Sequence, residues 1–260
     1  MTALLAAVEY GGAFKVPPVG ELFNFASFGP FGLDRGIVLM LLATTAAALL
    51  FVLAFSNAKI VPGKLQLVAE SIVGFVRDQV ALQIIGPDGR RFVPLLVTLF
   101  LFIWFNNLLE ITPLVNFPPT SRMALPLFLA LISYVVFVGV GFKEQGLAYI
   151  KNVAFPPGVP WPIYFLLVPI ELLSTFVLRP FTLAIRLFAN MVAGHILLSI
   201  VFIATHAFFA PKFPGVIVGA VTFALSPVAV GFELFIASLQ AYIFVILTAV
   251  YISGALEPEH

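Results

Sequence analysis

A permanent charge set inside an apolar run is the chemistry this sequence raises first. The stretch FTLAIRLFANMVAGH, residues 181 to 195, places Arg186, Asn190 and His195 among residues suited to lipid. An arginine has a pKa above ~12, so it cannot shed its proton to enter lipid, and its insertion costs ~2.5–3.5 kcal/mol on translocon scales. It must face protein or water, where its fixed charge would draw a passing carboxylic acid to deprotonate. Asn190 lies one helical turn on and shares its face, and Ala189 with Ala193 forms a small-xxx-small strip that permits close backbone approach. A structural arginine paired with a carboxylate elsewhere in the bundle is the plainer alternative.

Other polar groups fall at compatible depths. If the last two long helices are antiparallel neighbours with Arg186 level with Gln240, His195 lies about 13 Å outward on one helix and Glu233 about 10 Å outward on the other. Histidine titrates near neutrality and a partly buried carboxyl can be raised towards it, so the two suit proton transfer; as an alternative they simply neutralise each other. In the inward direction Glu171 lies about 22 Å from Arg186, with Ser174 and Thr175 beside it. Asn106, Asn107 and Glu110 end one apolar run and Asp34 begins another, so together they describe a polar funnel at the outer mouth. The result is two polar half-paths separated by a fixed cation, with no continuous channel between them. A proton crossing such a site needs a mobile carrier, and nothing in this chain moves far enough to be one.

The elements that must position these residues are membrane helices. With 62% apolar residues, 29 Phe and only 10% charged residues, the composition is that of a polytopic membrane protein. A crossing of the ~30 Å hydrocarbon core takes about 20 apolar residues, which gives spans at 37–55, 92–111 and 123–142. Residues 65–85 carry Glu70, Arg77 and Asp78 at helical spacing and predict an amphipathic helix on the membrane surface. Residues 163–209 and 216–254 are each about twice the length a simple span needs. Either Pro180 and Pro227 break these runs, or they lie steeply tilted as a paired hairpin over 163–254. The expected fold is therefore an all-α membrane protein with about five embedded helices and one surface helix, made of an outer N-terminal segment, 1–36, and a single integral membrane domain, 37–260.

Lys59, Lys64, Arg77, Arg90, Arg91, Lys143 and Lys151 fall on one side of such a bundle, against Lys15, Arg35, Arg122 and Lys212 on the other. The first side is then cytoplasmic, the N-terminus outside and the tail EPEH inside. A net charge of +1 with no basic arm points away from nucleic acid. The absence of Cys and the scatter of three His exclude a thiolate metal site and predict no metal or cofactor. MTALLAAVEY has no basic n-region and predicts no cleavable signal, and no G-x-x-x-x-G-K-[ST] loop offers a nucleotide site.

RLFANMVAGH at 186–195 and LQAYIFVILTAVYIS at 239–253, supported by VPGKLQ at 61–66 and NNLLE at 106–110, resemble subunit a of the membrane sector of rotary F-type ATP synthases. The resemblance runs from about Asp34 to the end of the chain. It implies that Arg186 is the stator arginine, with Gln240 its partner on the last helix, Asn190 nearby, and His195 and Glu233 a pair whose two residue types are exchanged in some bacterial members. Asp34, Glu110 and, with a one-residue offset, Glu171 align with half-channel acids; Val115 and Arg122 stand where other members hold acids. The resemblance further implies a rotor ring of small carboxylate-bearing subunits as the missing carrier, a peripheral-stalk subunit b, a separate catalytic head, and the bacterial plasma membrane as the location. Tilt along a curved rotor wall would account for the two long helices. A self-contained secondary transporter and a structural membrane anchor are the competing classes: the first requires solute uptake by the chain alone, the second tolerance of neutral residues at Arg186, His195 and Glu233.

Overall fold

Apolar length decides the architecture. In the computed structural model, which describes residues 34–112, 115, 117–155, 159–209 and 215–256, the described residues form helices and turns without a strand. Five stretches are long and apolar enough to cross a membrane: Arg35–Phe55, Pro87–Ile111, Ala124–Gln145, Trp161–Phe208 and Val216–Leu256. Helix α1 is Arg35–Phe55 and α2 is Lys64–Phe75, which continues as a π-helical segment, Val76–Ile85. A short 3₁₀ turn, Pro87–Phe92, leads into α3, Val93–Ile111. A 3₁₀ turn, Pro119–Ser121, precedes α4, Ala124–Gln145, and the short α5, Ala148–Ala154. Helix α6, Trp161–Leu173, passes through a π-helical turn, Ser174–Leu178, into α7, Arg179–Phe209, and α8 is Gly215–Leu256. Most of the expected outer segment 1–36, the flanking Lys15 and Lys212 and the tail EPEH lie outside the described residues.

Two helix ends are set by glycines in the left-handed region that other residues rarely adopt. Gly86 (φ 83°) stops the π-helical segment Val76–Ile85 and Gly146 (φ 61°) stops α4, where its N–H caps the Phe142 carbonyl at 2.9 Å. The prolines inside the long runs do not end them. Pro180 has no N–H for the carbonyl four residues back, and the wider turn at Ser174–Leu178 absorbs the misfit just before it. Pro227 lies within an unbroken 42-residue helix. Between the two alternatives the sequence left open, breakage is excluded.

Helix α3 is central and α1 peripheral: the most apolar window of α3 is 50% buried inside the protein, that of α1 only 17%. Leu96, Ile103, Phe137, Leu183, Leu187 and Phe244 anchor the core. Lipid tails are as apolar as these side chains, so their gain is close packing rather than escape from water, and hydrogen bonds add to it. Trp104 Nε1 donates to Ser238 Oγ at 3.0 Å, and the Ser133 and Thr248 hydroxyls meet at 3.1 Å. Bonds of this kind average ~0.6 kcal/mol in membranes, enough to fix register without freezing the bundle. The most extensive pairing is between α7 and α8. Asn190 meeting Gln240 and Gly194 meeting Glu233 show that the two run antiparallel.

Candidate functional site

Helix α7 has two faces. Leu183, Leu187 and Met191 are buried against the core, while Arg186, Ala189 and Ala193 are exposed on the outside of the bundle. Arg186 makes no ion pair or hydrogen bond among the described residues. The carboxylate that a structural arginine would need is not there. A guanidinium flanked by two alanines on an outward face leaves a smooth surface that another helix can approach closely.

One turn along from Arg186, Asn190 donates its side-chain amide to Gln240 Oε1 at 2.6 Å. Gln240 is only 1% exposed, so this bond is made in the interior of the helix pair. The depth assumed from sequence needs correction: Gln240 is level with Asn190 rather than with Arg186. Side-chain contact sets the relative slide of the two helices, and sequence alone does not contain it.

Further along the pair, Glu233 is fully buried, and its carboxyl sits so closely over Gly194 that a Cβ there would overlap it. His195 is the next residue and is 3% exposed. The Glu110 carboxyl at the end of α3 lies beside that of Glu233, close enough to share a hydrogen bond when one of the two is protonated. Neither carboxyl receives a donor from any other described residue. The sequence placed Glu110 at the end of a span, in the outer funnel; the fold buries it there beside Glu233. Asn106 and Asn107 are likewise wholly buried. Asn106 turns its amide back to the Phe102 carbonyl at 2.7 Å, whereas Asn107 accepts from Thr120 Oγ1 at 2.7 Å and reaches the Ala237 carbonyl on α8 at 3.4 Å. They are interior braces rather than solvated helix ends.

At the start of α1, Asp34 forms an ion pair with Arg122, and Arg35 Nη2 donates to the Val115 carbonyl at 2.7 Å. The Arg122 guanidinium lies 5.8 Å from the centre of the Phe117 ring. That ring is fully buried and meets the His195 imidazole edge-on, centroids 6.0 Å apart. The Arg35 and Arg122 guanidiniums thus both hold the connection between α3 and α4 against α1.

Glu171 and Ser174 are half-buried and Thr175 is buried, all just before Pro180. The structure does not bring them to the Glu110 and Glu233 cluster: about 23 residues of continuous helix, ~35 Å, separate Glu171 from Gly194. Arg179 was missed by sequence reasoning. Its guanidinium lies 5.4 Å from the Tyr251 ring on α8. It is also near the Tyr149 phenol, whose pKa burial pushes up while the Arg179 cation opposes the rise. The rule applied to Arg186, an arginine within an apolar run, marks Arg179 equally.

A family model described as ATP synthase A chain matches residues 37–253. Among curated proteins, the chain is 44% identical over 260 residues to the ATP synthase subunit a of Rhodococcus erythropolis, covering 95% of this chain and 92% of that one. It is 45% identical to that of Frankia alni, over 86% of this chain and 78% of the other. The match to the Pseudarthrobacter chlorophenolicus protein is 38% and covers 100% of this chain and 99% of that one.

Proposed function

This chain belongs to the ATP synthase A chain family, and from that footing we propose that it is the proton-conducting stator subunit of a rotary ATP synthase. It is a multi-pass membrane component of that complex and not its catalytic subunit. In this reading the outer half-path runs through Glu110, Glu233 and His195, and the inner one past Ser174 and Glu171. Arg186 stands between them and faces a ring of carboxylate-bearing rotor subunits. Each carboxyl would take a proton from one half-path, travel with the ring, and give it up to the other as it nears the guanidinium. Proton flow is worth ~2.3 kcal/mol per charge per 100 mV of membrane potential and would drive synthesis in the catalytic head. The outer end is the one bearing Asp34 and Arg122, the C-terminus is cytoplasmic, and a subunit b of the peripheral stalk holds the chain against rotation.

A single observation carries the reading: Arg186 is exposed, with no partner among the described residues, on a strip of alanines, while the titratable Glu233, Glu110 and His195 are buried inside the bundle. A charge meant only to stabilise the fold would be found in the opposite arrangement, paired and inside. Arg186→Ala is the test. Proton-driven ATP synthesis should fall to background in membranes where the complex is still assembled, and near-normal synthesis would sink the assignment.

A further inference from the structure

From the chain of contacts Asp34, Arg122, Phe117 and His195, we infer that the first three are positioning residues for His195. The ion pair clamps the outer turn onto α1, and the clamp holds the Phe117 ring as a wall between His195 and the outer water. The inference rests on the proposed role of His195 in the outer half-path.

Each contact has a direction. Phe117 has no exposed surface and meets His195 nearly perpendicularly, at 86°, so the contact restricts rotation of the imidazole. The ring also lies under the Arg122 guanidinium, a cation that cannot neutralise. Arg122 is in turn bound to Asp34, whose side chain is only 13% exposed, so the pair is less screened than a surface ion pair. Gly36, the second residue of α1, makes room for both: a Cβ there would lie 3.3 Å from Phe117 Cε1 and 3.6 Å from Arg122 Cζ. The same turn is pinned again by Arg35 on the Val115 carbonyl and by Thr120 on Asn107. A turn fastened at three points, with one aromatic ring projecting inward onto a titratable residue, is built to control what reaches that residue.

The chain has no cysteine, so access can be read without background. His195→Cys in the assembled complex, treated from the Asp34 side with a charged methanethiosulfonate, should react slowly. Adding Arg122→Gln or Phe117→Ala should raise the rate at least tenfold, and the reversed pair, Asp34→Arg with Arg122→Asp, should return it to the slow value. If the reversed pair fails to assemble, Asp34→Glu should stay slow where Asp34→Asn is fast. Rapid labelling with the pair intact, or rates that ignore both Arg122→Gln and Phe117→Ala, would overturn the inference. ATP synthesis with His195 retained separates it from the reading beneath it. Labelling that follows the clamp supports the wall even if synthesis is indifferent to every variant, in which case the relay role of His195 falls instead. Labelling that ignores the clamp while His195→Ala abolishes synthesis removes the wall alone.

Discussion

The Asn190 side-chain amide and Gln240 Oε1 meet at 2.6 Å inside the longest helix pair, one turn from an arginine that has no partner among the described residues. The bond holds α7 and α8 in register while Arg186 stays free to act outward. Removing one member leaves a buried amide group without its partner, a cost of about 1–3 kcal/mol, whereas removing both with apolar isosteres is far milder. Asn190→Leu or Gln240→Leu alone should therefore lower the thermal retention of the detergent-extracted complex more than the double substitution does. A double mutant that loses as much as the two singles combined would show that they are not coupled.

Gly194 is the position where a single methyl group should disrupt the outer half-path, because its Cβ would fall on the Glu233 carboxyl. Gly194→Ala should reduce ATP-driven proton pumping in vesicles severely with little loss of assembled complex. Combining it with Glu233→Asp, which withdraws the carboxyl by one methylene, should recover part of the rate. Unchanged pumping in the single mutant would mean that Glu233 does not need this place.

The Glu110 and Glu233 carboxyls are neighbours, so Glu110→Gln, which supplies an amide donor in the same volume, should leave the complex at wild-type abundance. Glu110→Leu should lower abundance, since it strands the Glu233 carboxyl without a partner at ~1–3 kcal/mol or more. Both should slow proton uptake. Immunodetection in membranes and acridine-dye quenching measure the two quantities separately.

How much of this was legible beforehand depends on the range of the interaction. The Arg186, Ala189 and Ala193 face follows from helical spacing, as does the set of five spans, because both are local properties of an apolar run. Asp34 and Arg122 are 88 positions apart in sequence, and nothing in the sequence paired them. Their pairing depends on where α1 leans against the outer turn. Glu110 was visible as the acid that ends a span, but its contact with Glu233 was not, because that depends on how α3 packs against α8. Gln240 was placed one turn off because the slide between two helices is decided by contacts such as Gly194 on Glu233, and a sequence contains no slide. Val115, which had no evident role as a side chain, contributes its backbone carbonyl instead.

Cysteines placed on α7 test which surface meets the rotor. At Ala193 or Asn190 they should form disulfides with cysteines introduced near the ring's carboxylate and stop ATP hydrolysis until reduced. Leu187 has no exposed surface, so cysteine there should cross-link at a small fraction of that yield. Equal yields from both positions would place the rotor elsewhere.

The helical run from Trp161 to Phe208 is 48 residues without a stop, about 72 Å long. In a rotary machine such an element is a beam under sideways load. Its stiffness comes from uninterrupted backbone hydrogen bonding and from lying along α8, and its most compliant section is the widened turn at Ser174–Leu178, three to four turns from the middle of the Arg186 to Gly194 stretch. Strain from each passing step would then collect at that hinge while the arginine keeps its alignment. Gear backlash would be absorbed away from the tooth.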